Sequence, residues 1–188
     1  MIPRVVLAAL LGVLTWTFLE YVIHRWMGHD KRFHKTPFGR EHVRHHIEGD
    51  YFAPTWKKAI AAGILLAIVA PIGILVAGVG PGLGYALGLI GCYVGYEVQH
   101  RRNHTHAGIG GYGRWARRHH FHHHFADPRS NHGVSTPLWD LVFGTYQRPA
   151  VITVPPRLAM AWLVDAGTGA VHVAYAGNYR LGKPVAPR

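Results

Sequence analysis

Apolar positions in this chain are gathered into long unbroken runs rather than spaced at a helical or strand period. No charged residue lies between Val5 and Leu19, and the apolar stretch around them extends from Ile2 to Ile23. A second run, from Ala59 to Tyr96, carries no charge at all. A helix needs about 20 such residues to cross ~30 Å of hydrocarbon, so the first run reads as one span and the second as two. Pro81, flanked by Gly80, Gly82 and Gly84, predicts the turn of a helical hairpin with arms over roughly 58–79 and 83–99. Pro71 lies inside the first arm and predicts a kink there, which membrane helices tolerate.

A cleaved leader is the competing reading of the first run. Glu20 and His24 follow it with no small-x-small site between, which argues against cleavage. Arg25, Lys31, Arg32, Lys35, Arg40, Arg44, Lys57 and Lys58 lie between this run and the hairpin, and arginines from Arg101 to Arg118 follow it. The hairpin turn has no basic residue, and the N-terminus has only Arg4. The excess of Lys and Arg on one side predicts an external N-terminus and two cytoplasmic polar segments. The expected fold is therefore an all-α integral membrane protein with about three transmembrane helices and a cytoplasmic helical cap. Residues 1–150 read as the membrane domain and 151–188 as a C-terminal tail. Pro155 and Pro156 open that tail, Leu158 to Val164 predicts a short interfacial helix, and Arg157, Asp165 and His172 exclude a fourth span.

Composition sharpens this picture. The formal charge is +11 with nine acidic residues, while 49% of the chain is hydrophobic. Because the basic residues flank apolar runs, they suit lipid headgroups rather than nucleic acid, which is not an expected partner. A single cysteine, Cys92, excludes an intramolecular disulfide. Histidine is the outlier: there are 16, and all but His172 fall within 24–46 and 100–132. Such clustering is a compositional sign of metal binding.

The histidines form four groups: His24 with His29; His42, His45 and His46; His100 with His104; and His120, His123 and His124. In the second and fourth groups the i, i+3 and i+4 positions share one helical face, so one helix offers three imidazoles to one side. The third group does the same with two. His24 and His29 differ, because five residues turn an α-helix by about 140° and separate the rings. Gly28 is therefore expected near a helix end, with His29 turning back as the chain leaves it. The ten positions suffice for two metal ions with about five nitrogens each. His34, His106, His119, His122, His132 and His172 fall outside the spacing and read as supporting or surface residues.

Structural zinc sites are tetrahedral and usually rich in cysteine, which the histidine-rich segments lack. An all-imidazole site for two metals beside hydrocarbon suits ferrous iron and the activation of dioxygen. Zinc, which binds imidazole more tightly than ferrous iron, is expected to replace iron in purified protein. A membrane protein that binds or transports metal is the alternative of another class. Transporters, however, hold their ligands near the bilayer midplane, whereas these histidines lie at the ends of the spans.

From Leu19 to Tyr146 the chain resembles the fatty acid hydroxylase superfamily of sterol desaturases, fatty-acid 2-hydroxylases and carotenoid hydroxylases. The resemblance rests on Glu20 to Arg25, on the groups at 42–46 and 96–104, and on His119 to Phe125. Gly133 to Asp140, followed by Phe143, Gly144 and Thr145, is similar to the fatty-acid 2-hydroxylase branch. The resemblance implies a di-iron oxygenase that hydroxylates a lipid acyl chain with dioxygen, its electrons coming from a separate carrier and reductase. A carotenoid or sterol hydroxylase or desaturase is the sister alternative. It also implies His24, His29, His42, His45, His46, His100, His104, His120, His123 and His124 as the metal ligands. Trp139 and Asp140 are expected to close or order the site, or to form a packing anchor with a helix-start cap.

Overall fold

The computed structural model describes residues 2–183. Six helices come first: α1 (Ile2–Val22), α2 (Pro37–Glu48), α3 (Thr55–Ala77), α4 (Val79–Thr105), α5 (Gly110–Phe125) and the short α6 (Leu138–Val142). Two strands of three residues, β1 (Ile152–Val154) and β2 (Tyr179–Leu181), pair in parallel with Ile152 opposite Tyr179. The chain is thus mostly helical, but the all-α expectation fails in the tail. There the β-branched run Ile152-Thr153-Val154 packs better as a strand than as a helical turn.

Among the described residues, two segments are long and apolar enough to cross a bilayer, Ile2–Gly28 and Thr55–Ala77. Helix α4 is as long, at 27 residues, yet its glycines and its polar end from Glu97 onward dilute its hydropathy. Helix α3 buries none of its residues, and Ile60, Ile64, Ile68 and Ile72 are each more than half exposed. Such a helix, apolar over its length and covered by protein along one side only, is shaped for lipid.

The hairpin turns earlier than its prolines and glycines suggest. Gly78 alone joins α3 to α4, with φ 84° and ψ 168°, a conformation that a side chain would strain. Pro81 falls in the first turn of α4, where a missing N–H leaves no helical bond unmade. The glycines serve close packing instead. A Cβ on Gly82 would lie 2.4 Å from the Gly73 carbonyl carbon, one on Gly12 would lie 2.1 Å from the Tyr85 oxygen, and one on Gly88 would lie 2.1 Å from the Ala9 oxygen. Helix α4 therefore touches α3 and α1 backbone to backbone, an approach typical of helices that pack in lipid. Trp16, Tyr21, Ala86 and Leu89 are buried along α1 and α4.

The tail from 151 to 183 folds back onto α5. Ile152, Val154, Leu163 and Tyr179 form a buried cluster with Phe121. The interfacial helix expected over 158–164 is absent. Pro155 and Pro156 support only a 3₁₀ turn, Pro156–Leu158, after which the chain bends and buries Leu163 completely.

Candidate metal centre

Each polar segment enters the site through a defined local device. After Val22, α1 widens into a π-helical turn, Ile23–Gly28, capped by His29, whose N–H donates to the Trp26 carbonyl. A π-turn holds more residues than an α-turn, so positions five apart come round to the same side. His24 and His29 thus converge without the chain doubling back. Gly28 does end this turn, as expected, and it has a second role. A Cβ there would lie 2.8 Å from the His42 ring, so only glycine leaves room for that imidazole. Helix α2 starts at Pro37 with the Thr36 hydroxyl accepting the Gly39 N–H at 3.1 Å, and it ends on Gly49 at φ 74°.

The ten histidines gather into two sets of five. His24, His29, His42, His46 and His123 form one, and His45, His100, His104, His120 and His124 the other. Within each set one ring nitrogen per residue lies within 4.8 Å of all the others, an arrangement able to hold a metal ion. The two HxxHH helices are shared crosswise. In α2 the i, i+4 pair His42 and His46 joins the first set while His45 joins the second; in α5 the pair His120 and His124 joins the second while His123 joins the first. The common face read from the sequence is thus split between two neighbouring centres.

The rings are held by their outer nitrogens. His24 Nδ1 lies 2.5 Å from the His132 carbonyl, His45 Nδ1 2.7 Å from that of Tyr51, and His123 Nδ1 2.7 Å from that of Ser130. A carbonyl only accepts, so each Nδ1 must carry the proton, which leaves Nε2 with a free lone pair. His24 Nε2, His46 Nε2, His123 Nε2 and His124 Nε2 are buried without a hydrogen-bond partner. Three Nε2 pairs stand 2.9 Å apart: His29 with His42, His45 with His100, and His104 with His120. Two imidazoles at right angles on one ion, each ~2.1 Å from it, would stand about 3 Å apart, so the residues present fit a metal.

Burial pushes His42, His46, His120, His123 and His124 well below the ordinary imidazole value, and neighbouring imidazoles push further. Burial likewise lowers His29 and His45 to about 4 each. The rings are therefore neutral near pH 7, the form that binds metals.

A loop over 130–146 closes the first set, and Asp140 organises it. Its Oδ1 accepts the His132 N–H at 2.8 Å and the Thr145 hydroxyl at 2.7 Å; its Oδ2 accepts the Gly133 N–H at 2.8 Å and His119 Nε2 at 3.1 Å. Burial alone would raise this carboxyl, but these bonds, led by that from His119, hold it below the usual carboxylate range. Asp140 thus orders the site and does not cap α6. Glu20 pins the same loop to α1 by accepting the Ser135 N–H at 2.9 Å, and Trp139 Nε1 donates to Thr17 Oγ1 at 3.0 Å. On the far side Trp162 Nε1 donates to the His104 carbonyl at 3.0 Å.

His119 and His132, set aside by spacing alone, are both buried, His132 against three rings of the first set and His119 on Asp140. Their signal lay in the Gly133–Asp140 stretch, which ties them to the site through hydrogen bonds and not through helical period. Gly28 and Trp162 carried no motif at all. The remaining histidines outside the spacing, His34, His106, His122 and His172, belong to neither set.

Residues 9–145 match the sequence profile of the fatty acid hydroxylase family. The fatty acid 2-hydroxylase of Mus musculus is 33% identical over 169 residues, covering 77% of this chain and 41% of that protein. A dihydroceramide fatty acyl 2-hydroxylase of Arabidopsis thaliana is 31% identical over 157 residues, covering 77% of this chain and 62% of that protein. A solved chain described as full-length scs7p, with only its hydroxylase domain visible, shares the fold with a TM-score of 0.59 at 24% identity. That match covers 77% of this chain and 56% of the other, so the chain spans less than two thirds of each of these relatives. With its profile, its two histidine sets and its apolar helices in agreement, the chain belongs to the fatty acid hydroxylase family.

Proposed function

We propose that this chain hydroxylates a lipid acyl chain, using dioxygen and two iron ions held by the ten histidines. The observation that carries the reading is the pair of five-imidazole sets, each with its nitrogens within 4.8 Å and neither containing a carboxylate or thiolate. Bound ferrous iron would supply the activation of dioxygen that an inert C–H bond requires. The residues of the chain do the rest. The carbonyls of Tyr51, Ser130 and His132 hold protons on the outer nitrogens of His45, His123 and His24, so that the inner lone pairs stay free. The loop pinned by Glu20 and Asp140 shields the first set from water. Fatty-acyl and ceramide hydroxylases among the relatives support an acyl substrate over a sterol or carotenoid ring.

In this reading α1, α3 and α4 are three spans, the N-terminus is outside, and the histidine sets sit at the cytoplasmic ends as a helical cap. Residues 1–150 form the hydroxylase domain, 151–188 an appended tail at the interface, and a separate carrier and reductase deliver electrons. The metal reading is tested by preparing the protein anaerobically with iron and separately with zinc. Only the iron form should consume oxygen and yield a hydroxylated lipid. Equal turnover by both would exclude redox oxygen chemistry. Orientation is tested with single cysteines in a Cys92→Ala background. Val79→Cys should react with an impermeant reagent outside intact cells, and Ile109→Cys should not.

A further inference from the structure

Beside the first set lies an eleventh imidazole. His132 is 2% exposed, and its Nδ1 is buried with no hydrogen-bond partner. Burying a polar nitrogen without a partner costs free energy that any apolar residue would avoid, so a function for the lone pair must offset that cost. The ring centroid lies 5.6 Å from His24, 5.6 Å from His29 and 5.2 Å from His123. Those separations fall within the spread inside the set itself, from 4.4 Å for His24 and His123 to 6.5 Å for His24 and His46. His132 thus lies against three of the five rings, at the rim of the group whose nitrogens lie within 4.8 Å of one another.

Its backbone is anchored on both sides. The N–H donates to Asp140 Oδ1 at 2.8 Å, and the carbonyl accepts from His24 Nδ1 at 2.5 Å. The Tyr21 ring meets the imidazole edge-on at 5.8 Å. The hydrogen bonds that orient His24 therefore also fix where His132 starts, next to the centre that His24 helps to form. An ion held by five imidazoles would have room for a further nitrogen donor, and imidazole suits every first-row metal considered for this site.

We propose that His132 is a further metal ligand, supplying a sixth nitrogen to the ion held by His24, His29, His42, His46 and His123. The inference rests on the metal-centre reading above, and the two can fail separately. The test uses Co²⁺ titrated into the metal-stripped full chain in detergent, read by visible absorption and by competition with a chelator. The wild-type chain should take up two Co²⁺. In His132→Phe one ion should bind about 10-fold or more weakly, with a changed spectrum, while the other is unaffected. The metal-free variant should melt no lower than the wild type, because phenylalanine fills the same space without a buried lone pair. His132→Ala should regain the wild-type spectrum when free imidazole is added, an effect that packing alone would not produce. Wild-type spectra and affinities for both ions in His132→Phe, with no response of His132→Ala to imidazole, would overturn the proposal and leave the ten-histidine centre standing. Failure of the wild-type chain itself to bind two Co²⁺ would overturn both.

Discussion

The two histidine sets hold five imidazoles each, yet they are built from different material. The second draws on regular helices only: His100 and His104 from α4, His120 and His124 from α5, and His45 from α2. The first uses a π-turn for His24, a capping residue for His29, and carbonyls of the 130–132 loop to hold His24 and His123. A ligand pair at i, i+4 on a helix needs little besides the helix. A pair on a π-turn needs outside support, and here Glu20, Tyr21 and Trp139 provide it by fastening the loop to α1, with Asp140 bracing the loop from within. The first centre is accordingly the more adjustable of the two and the more dependent on residues that touch no metal.

The strongest way to break this comparison is to remove one ligand from each set. His123→Ala should empty the first centre and His45→Ala the second, each lowering bound metal from two ions to about one. Either should reduce hydroxylated product by more than ~100-fold, since losing a residue that only hydrogen-bonds and orients a ligand already reaches that size. Metal analysis showing both ions lost in both variants would mean that the centres do not load separately. Next in size is Asp140→Asn, which keeps the shape but weakens the bonds to His119 and to the loop. The first centre should lose about 10-fold in metal affinity, and the second should hold its ion unchanged in chelator competition. An equal loss at both would remove the distinction drawn here.

Gly28→Ala sharpens the same point from the packing side. The added methyl would meet the His42 ring, so the first centre should weaken by several-fold while thermal stability falls by ~1–3 kcal/mol. Trp162→Phe is its counterpart at the second centre. It loses only the hydrogen bond to the His104 carbonyl, a change of ~1 kcal/mol in unfolding free energy with a two- to three-fold effect on the second ion's affinity. His34→Ala and His172→Ala should leave both metal content and product yield unchanged, which sets the baseline for the series.

The regular part of this architecture was legible in the sequence because its signals are periodic. An i, i+4 spacing places His100 with His104 and His120 with His124 whatever surrounds them, and unbroken apolar runs mark α1 and α3. What the sequence hid is where the backbone leaves the α period. The π-turn at Ile23–Gly28 has no residue signature of its own, and an α-helical count sends His29 to the wrong side. The turn at Gly78 was obscured by Pro81, because a proline in the first turn of a helix looks the same in sequence as a proline in a loop. The strands of the tail are three residues each, too short for any alternation to declare itself. Asp140 and His132 act through hydrogen bonds that span the chain, and no local pattern encodes those.

The crosswise sharing of α2 and α5 has a consequence for how the proposed ions would load. Each of these helices contributes to both sets: an ion at one would hold His45 beside His120 and His124, and an ion at the other would hold His42 and His46 beside His123. His46 of the first set stacks on His124 of the second at 4.0 Å between ring centroids, so the two cages share a wall. A cage emptied by a single substitution should leave that wall standing and the other ion bound, so chains that hold one ion should be recoverable.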